Sequence, residues 1–243
     1  MGQMWKCMCR IKKGQVNTMN LNISKENVRI EGNNIVIEIT DELKESLKGI
    51  LNTSEKLLKD CKIGEVVTDN IGVKWIVIRH DEDETTKLWR KELLPETRRF
   101  DKESNNFYGS EIQKFLNAEY IKYVEEGFGK ENLCIQEVDL TSLDGLTTYG
   151  VCKCPIRLGG IDEYRAARKQ GLFREKNSNP FWLDTPDSTN EGYSASSVQF
   201  VRCNGYVSYY DCIWTGCSVR PFISLKSDIF VSVDTESVVN KQD

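Results

Sequence analysis

Cysteine thiols have the widest chemical range of any side chain in this sequence, because thiolates bind soft metals, form disulfides and attack electrophiles. The chain has nine of them. Cys7 and Cys9, and again Cys152 and Cys154, are spaced C-x-C, and no companion pair of Cys or His follows at a familiar zinc-site distance. We therefore interpret most of them as buried or incidental free thiols. An odd number of cysteines does not fit a disulfide scaffold and is more consistent with a reducing compartment. Several could still cluster in the fold: Cys152, Cys154, Cys203, Cys212 and Cys217.

The chain has a single histidine, His80, so every His-dependent catalytic or zinc mechanism would have to use it. It follows the apolar run "IVIR" and precedes the acidic stretch "DEDE". We interpret it as a solvated residue at the end of a strand. Hydrolases that depend on a His base are therefore disfavoured.

Two acidic stretches could supply oxygen ligands to Ca²⁺: residues 81–84 ("DEDE") and 184–191 ("DTPDSTNE"). Neither matches the spacing of a D-x-[DN]-x-[DN]-G calcium loop. A solvated turn is the better interpretation of the first, and a metal or polar ligand stays open for the second. Phosphate-binding glycine motifs are absent, and "LGG" at 158–160 predicts a turn from a strand into a helix.

Residues 193–218 have an unusual composition, with four Tyr, five Ser, three Cys and one Trp but two charged residues. A buried strand would be rich in Val, Ile and Leu, whereas here the aliphatic residues are sparse. Tyr, Ser, Gly and Asn with an occasional Trp or Arg are typical of binding loops. We predict a binding surface with Val207 and Ile213 as inward anchors. An antiparallel sheet with aromatic cross-strand pairs is the structural alternative.

The predicted secondary structure divides the chain into three parts: an N-terminal unit at 1–60, a main domain at 61–234 that contains the binding window, and a frayed tail at 235–243. In the first unit, alternating apolar residues around "EGNN" predict a β-hairpin, and the leucine spacing over 41–60 predicts an amphipathic helix with Thr40 or Asp41 as N-cap. A hairpin-plus-helix unit of this size serves assembly or attachment more often than catalysis, so we expect it to be a route to a homo-oligomer.

The main domain is predicted to be α+β, with two helices among short strands. Strands are expected at 64–68, 73–79, 86–94 and 133–138, followed by three or four that end near Val233, with 219–225 as the buried closing strand of the fold. One helix is expected from a Ser110 N-cap through residue 124, and the second over 160–173.

The composition and net charge of the chain limit the kinds of partner it can bind. The 243 residues are 39% hydrophobic and 29% charged with a net charge of −4, so no basic field favours nucleic acid. No apolar run reaches the length of a membrane span, and the N-terminus has no hydrophobic segment of a signal peptide. We expect the protein to be made in the cytoplasm.

Three stretches in order carry a resemblance over residues 62–226: "GVKWIVI", "GSEIQKFLNAEY", and "FWLDTP…ASSVQFVRCNGYV…GCSVRPFISL". The chain resembles a bacterial and phage domain with a C-terminal G-V-R-P-like motif. That domain has a C-type-lectin fold and is similar to the variable proteins of diversity-generating retroelements, and more distantly to formylglycine-generating enzymes. Ser218 and Phe222 depart from the usual motif.

The resemblance implies a ligand-binding face whose codons are rewritten by adenine-directed mutagenesis. It also implies that Cys203, Cys212 and Cys217 are products of that process, and that Arg220 and Pro221 belong to the scaffold, the guanidinium bonding backbone carbonyls. The residues implied to face the ligand are Arg202, Asn204, Tyr206, Ser208, Tyr209, Tyr210, Asp211, Trp214 and Thr215.

The sequence thus leads to a non-enzymatic recognition protein for a protein or cell-surface ligand, with no cofactor and no metal, and with incorporation into a phage particle as one setting. Two alternatives stay open. One is a copper oxidase of the formylglycine-generating type that uses Cys212 and Cys217, since soft thiolates suit Cu(I). The other is a structural protein of a virion or envelope.

Overall fold

A computed structural model of the protein describes residues 28–31, 34–37 and 53–234. Contacts along the chain separate two units, 1–52 and 53–243. In the first unit, strands β1 (Val28–Glu31) and β2 (Asn34–Ile37) pair antiparallel, with Val28 opposite Ile37. The predicted hairpin is therefore confirmed. The predicted tail at 235–243 lies outside the described residues.

The second unit is α+β, and its strands pair almost entirely antiparallel. Its largest sheet has seven strands in the order β3-β14-β4-β5-β6-β13-β9. The bounds of these strands are β3 Thr53–Leu57, β4 Val66–Thr68, β5 Lys74–His80, β6 Thr85–Arg90, β9 Ile156–Arg157, β13 Phe222–Lys226 and β14 Phe230–Asp234.

Two smaller sheets contain the other described strands of this unit. One has the order β10-β11-β12, and the other pairs β7 with β8. Their bounds are β7 Gln136–Asp139, β8 Val151–Cys154, β10 Phe181–Pro186, β11 Ser197–Val201 and β12 Val207–Asp211.

The helix predicted over 41–60 is wrong at its C-terminal end, because residues 53–57 form strand β3. β3 pairs antiparallel with β14, Leu57 lying opposite Phe230 and Thr53 opposite Asp234. Hydrogen bonds to a strand near the end of the chain outweigh the helical spacing of the leucines, as tertiary context often does. A short 3₁₀ turn at Leu58–Asp60 follows. Residues 38–52 of that prediction lie outside the described residues.

Two helical segments were predicted in this unit, and both are confirmed. The first begins at Ser110, whose hydroxyl accepts a hydrogen bond from the Gln113 backbone N–H. It comprises α1 (Glu111–Phe115), a π-helical turn (Leu116–Tyr120) and α2 (Ile121–Phe128). The second, α3 (Ile161–Lys169), begins after Gly160, as "LGG" predicted. A further 3₁₀ turn spans Lys130–Asn132.

Two hydrophobic clusters form the core of this unit. The larger includes Trp75, Trp182, Phe200 and the inner face of α1 and α2. The smaller is built around Trp89, which has no exposed surface and packs edge-on against four aromatic rings, those of Tyr164, Phe173, Phe181 and Phe222. These clusters hold the three sheets together and so fix the position of the β11–β12 hairpin.

The segment 219–225 was predicted to be the fold's final, buried strand. It is buried, but its strand β13 lies inside the seven-stranded sheet between β6 and β9, and β14 follows it. The closing position belongs to β14, which pairs with β3 and β4.

Candidate functional site: the β11–β12 hairpin and its surroundings

The predicted binding window folds into a hairpin made of β11 and β12, with Ser197 opposite Asp211 and Val201 opposite Val207. The turn between them is closed by the Gly205 N–H donating to the Arg202 carbonyl at 2.8 Å and the Arg202 N–H donating to the Tyr206 carbonyl at 2.8 Å. Gly205 has a φ of +84°, which a residue with a side chain adopts at a cost. The "NG" pair therefore fixes the register in which the following strand presents its tyrosines.

The nine residues predicted to face a ligand all have solvent-accessible surface in the structure. Tyr206, Tyr209 and Tyr210 are 72%, 59% and 50% exposed; Tyr108, Tyr123 and Tyr193 are similarly exposed elsewhere, but the hairpin brings three such rings into one five-residue stretch. Five others are exposed or half-buried on the hairpin, its turn or the loop that follows: Arg202, Asn204, Ser208, Asp211 and Thr215. The structure thus places these residues along one edge of the three-stranded sheet, on β12 and the segments that flank it.

These residues do not lie on a single face, because successive side chains of a strand point to opposite sides. Tyr210 lies opposite Val198 and its ring contacts Phe200, on the side of the larger core. Tyr209 lies opposite Gln199, on the other side, where Val207 packs against the smaller cluster. The two tyrosines therefore border the free edge of β12 from its two sides.

Trp214 is half-buried and is as much part of the core as of the surface. Its ring centroid lies 4.6 Å from Tyr210, 5.6 Å from Phe200 and 6.1 Å from Trp182. Val207 is an anchor, as predicted, but the prediction for Ile213 is wrong, since its side chain is 56% exposed. The chain leaves strand β12 after Asp211, so the alternation that would have turned Ile213 inward has ended, and Trp214 takes the anchoring position.

Cys212 and Cys217 are buried in the larger core, whereas Cys203 is half-buried in the turn region. Burial raises the pKa of Cys212 to about 12 and raises that of Cys217 further. Such surroundings favour the protonated thiol, whereas copper ligands are thiolates. The same burial also keeps both thiols away from the exposed surface that the resemblance assigns to rewritten codons.

Arg220 is a buried scaffold residue, but its predicted partners are wrong. Its guanidinium donates to the Asn177 side-chain oxygen at 2.7 Å and lies over the rings of Phe173 and Phe181, 4.8 and 4.7 Å from their centroids. Stacking between aromatic faces suits a planar guanidinium, so the rings replace the backbone carbonyls that were expected. Burial lowers the pKa of Arg220 to about 10.

A second polar feature, which the sequence did not predict, is a cleft of about 570 Å³ beside the N-terminus of α3. Arg157, 5% exposed, lies in its floor and donates to Asp184 at 2.8 Å, to the Leu158 carbonyl at 2.9 Å and to Glu163. Arg79 reaches the same Glu163 carboxylate from the surface, at 3.7 Å. The sequence contained one signal for this cluster: Asp184 directly follows the apolar run "FWL", and a charge buried there needs a partner.

The two carboxylates that share the Arg157 guanidinium have pKa values shifted in opposite directions. Complete burial raises the pKa of Asp184 to about 7 despite the nearby Arg157. For Glu163, burial also opposes ionisation, but the charges of Arg157 and Arg79 hold its pKa below the usual range. The cluster is closed on itself, because each carboxylate already accepts hydrogen bonds from protein groups.

The acidic stretches considered for Ca²⁺ are engaged within the protein. Asp81 pairs with Arg79 and Lys87, and Asp187 accepts from Gln199 at 2.7 Å. His80 is exposed at the end of β5, as predicted, and its ring nitrogens lie 2.8 Å from the Thr86 hydroxyl and from the Cys61 carbonyl. Across the described ranges 28–31, 34–37 and 53–234, no three His, Cys, Asp or Glu residues are grouped so as to hold a metal ion.

The chain matches no protein-family model, no curated protein and no solved structure at a significant level. In the part of the chain that the structure describes, none of the helices combines the length and apolar character needed to cross a membrane.

Proposed function

We propose that this chain is a non-enzymatic recognition protein that binds a protein or cell-surface ligand through the hairpin surface, defined as residues 202–215. We also propose that its 53–234 unit has a C-type-lectin-like fold and that the protein functions as the variable protein of a diversity-generating retroelement. The observation that carries the proposal is the exposure of Tyr206, Tyr209 and Tyr210 on a hairpin whose supporting residues are buried. The mixture of two helical segments with short antiparallel strands agrees with the fold that the resemblance implies.

Large exposed aromatic residues are costly to keep in solution and are enriched where proteins bind partners. Here they stand beside small polar groups, namely Ser208, Asn204 and Thr215, which can adapt their hydrogen bonds to different ligands. The hairpin is held from behind by Phe200, which is 5% exposed, so that side chains on the surface can change while the backbone stays fixed. Such a division between scaffold and surface is what a recognition site with rewritten codons requires.

The double variant Tyr206→Ala, Tyr209→Ala should lower the free energy of unfolding by less than about 1 kcal/mol, because neither ring packs in a core cluster. The matched control is Tyr164→Ala, which removes a buried ring and the 2.8 Å bond from its hydroxyl to the Gly205 carbonyl, and should cost about 3 kcal/mol or more. Chemical denaturation measures both. An equal loss in the two proteins would show that the exposed tyrosines are part of the core and would contradict the proposal.

A further inference from the structure

The outer edge of strand β12 bears backbone groups that no described residue satisfies. The Cys212 N–H donates to the Ser196 carbonyl and the Arg202 N–H donates to the Tyr206 carbonyl, so within the strand Ser208 and Tyr210 direct their backbone groups toward β11. By the alternation of an antiparallel ladder, Val207, Tyr209 and Asp211 direct theirs outward. The Asp211 carbonyl accepts from the Trp214 N–H at 3.0 Å. The remaining outward groups are the N–H and C=O of Val207 and of Tyr209, and the N–H of Asp211.

In the part of the chain that the structure describes, this edge lacks the usual protection against strand pairing. Soluble proteins guard free edges with lysine, proline, bulges or a covering segment. Strand β12 contains neither lysine nor proline, and its pairing with β11 is regular over all five residues. The one charged residue of the strand is Asp211, and its carboxylate accepts a hydrogen bond from the Ile213 N–H at 3.1 Å in the loop that follows.

We infer that the hairpin surface recognises its ligand by strand addition, in which an extended peptide segment of the partner pairs with the outer edge of β12. This inference rests on the proposed function and names how that surface binds. An added strand lies about 4.8 Å from β12, and its alternate side chains project to the two sides of the sheet. Tyr210 and Ser208 border one side, and Tyr209 borders the other. The peptide that fits has apolar or aromatic residues at alternate positions.

A second copy of β12 is a poorer occupant than a peptide from another protein. Antiparallel self-pairing centred on Tyr209 would place Val207 opposite Asp211 twice. The Asp211 carbonyl that each Val207 N–H would need is already bonded to Trp214. A foreign segment does not meet this restriction, because it can align its own carbonyl with each free N–H.

The test uses linear 12-residue peptides selected from a random displayed library against the full chain, then synthesised and titrated in solution. Tyr209→Ala removes the ring and keeps the backbone N–H, whereas Tyr209→Pro removes both. Because this N–H points away from β11, proline leaves the hairpin's own bonds in place. We expect Tyr209→Pro to bind at least tenfold more weakly than Tyr209→Ala, with the fold of each variant checked by its unfolding midpoint.

A second measurement does not depend on any variant folding. Each selected peptide is N-methylated at every other residue, in the two possible phases, and titrated against the unaltered protein. One phase should abolish binding and the other should leave it nearly unchanged. Equal effects of the two phases, or equal affinities of Tyr209→Pro and Tyr209→Ala, would overturn strand addition, as would a library that yields no binder.

The outcomes separate this inference from the proposed function. Peptides that lose affinity equally with Tyr209→Ala and Tyr209→Pro would leave the hairpin as a recognition surface that uses side chains alone. Peptides indifferent to every change at Tyr206, Tyr209 and Tyr210 would contradict both. A dimer in sedimentation that becomes monomeric with Tyr209→Pro would identify a second copy as the occupant and would overturn the inference.

Discussion

Arg157→Met should lower the free energy of unfolding by about 3–5 kcal/mol. The substitution keeps most of the volume of the side chain but leaves Asp184, which is 2% exposed, without its cation and leaves the largely buried Glu163 with the more distant Arg79. An isolated buried carboxylate must stay charged at a high desolvation cost or take up a proton. Chemical denaturation at neutral pH measures the loss.

Arg79→Met is the matched control, because Arg79 contacts the same Glu163 carboxylate from a side chain that is 45% exposed. Exposed ion pairs are screened by water, so this variant should lose less than about 1 kcal/mol. Adding Asp184→Asn to Arg157→Met should restore part of the loss, because the amide is neutral and requires neither a buried charge nor the uptake of a proton. If Arg157→Met were no worse than Arg79→Met, the buried cluster would not be a stabilising centre of this unit.

Trp89→Ala should cost about 3–5 kcal/mol, since it opens a cavity at the centre of the smaller core cluster. It also removes the indole N–H that donates to the Arg220 carbonyl at 3.1 Å, leaving that acceptor without its partner. Thermal and chemical unfolding measure the effect, and Tyr206→Ala on the surface is the control with little expected loss. A loss below about 1 kcal/mol would contradict the packing described around Trp89.

The same packing predicts the behaviour of Gly159 beside the ring. A methyl group added there would lie 2.3 Å from the Trp89 ring, closer than any relaxed contact, and a fully buried indole has nowhere to move. Gly159→Ala should therefore also be strongly destabilising, and combining it with Trp89→Ala should cost less than the sum of the two.

Local signals in the sequence predicted the elements that depend on neighbouring residues. The hairpin of β1 and β2 follows from alternation around a turn, and the first helix follows from the Ser110 cap and an apolar stripe. The exposure of Tyr206 and Tyr209 followed from composition, because a window with few aliphatic residues cannot be wholly buried. Each of these inferences uses residues close together in the chain.

The features that the sequence failed to predict depend on distant pairing. Residues 53–57 form a strand because of β14, which lies at the other end of the unit. The division of Tyr209 and Tyr210 between two sides follows from the register of β12, and Ile213 is exposed because that strand stops at Asp211. Arg157, Glu163 and Asp184 come from three separate elements, so no spacing in the sequence predicts their cluster.

The proposed function requires that residues 202–215 form a recognition surface whose side chains vary over a fixed scaffold. Sequencing the DNA downstream of the gene tests it most directly. We expect a near-copy of the gene's 3′ segment beside a reverse transcriptase gene, differing at adenines that fall in the codons of the exposed residues of 202–215, with the codons of 219–225 matching. The absence of such a repeat, or differences spread evenly into the codons of the buried strand β13, would contradict it.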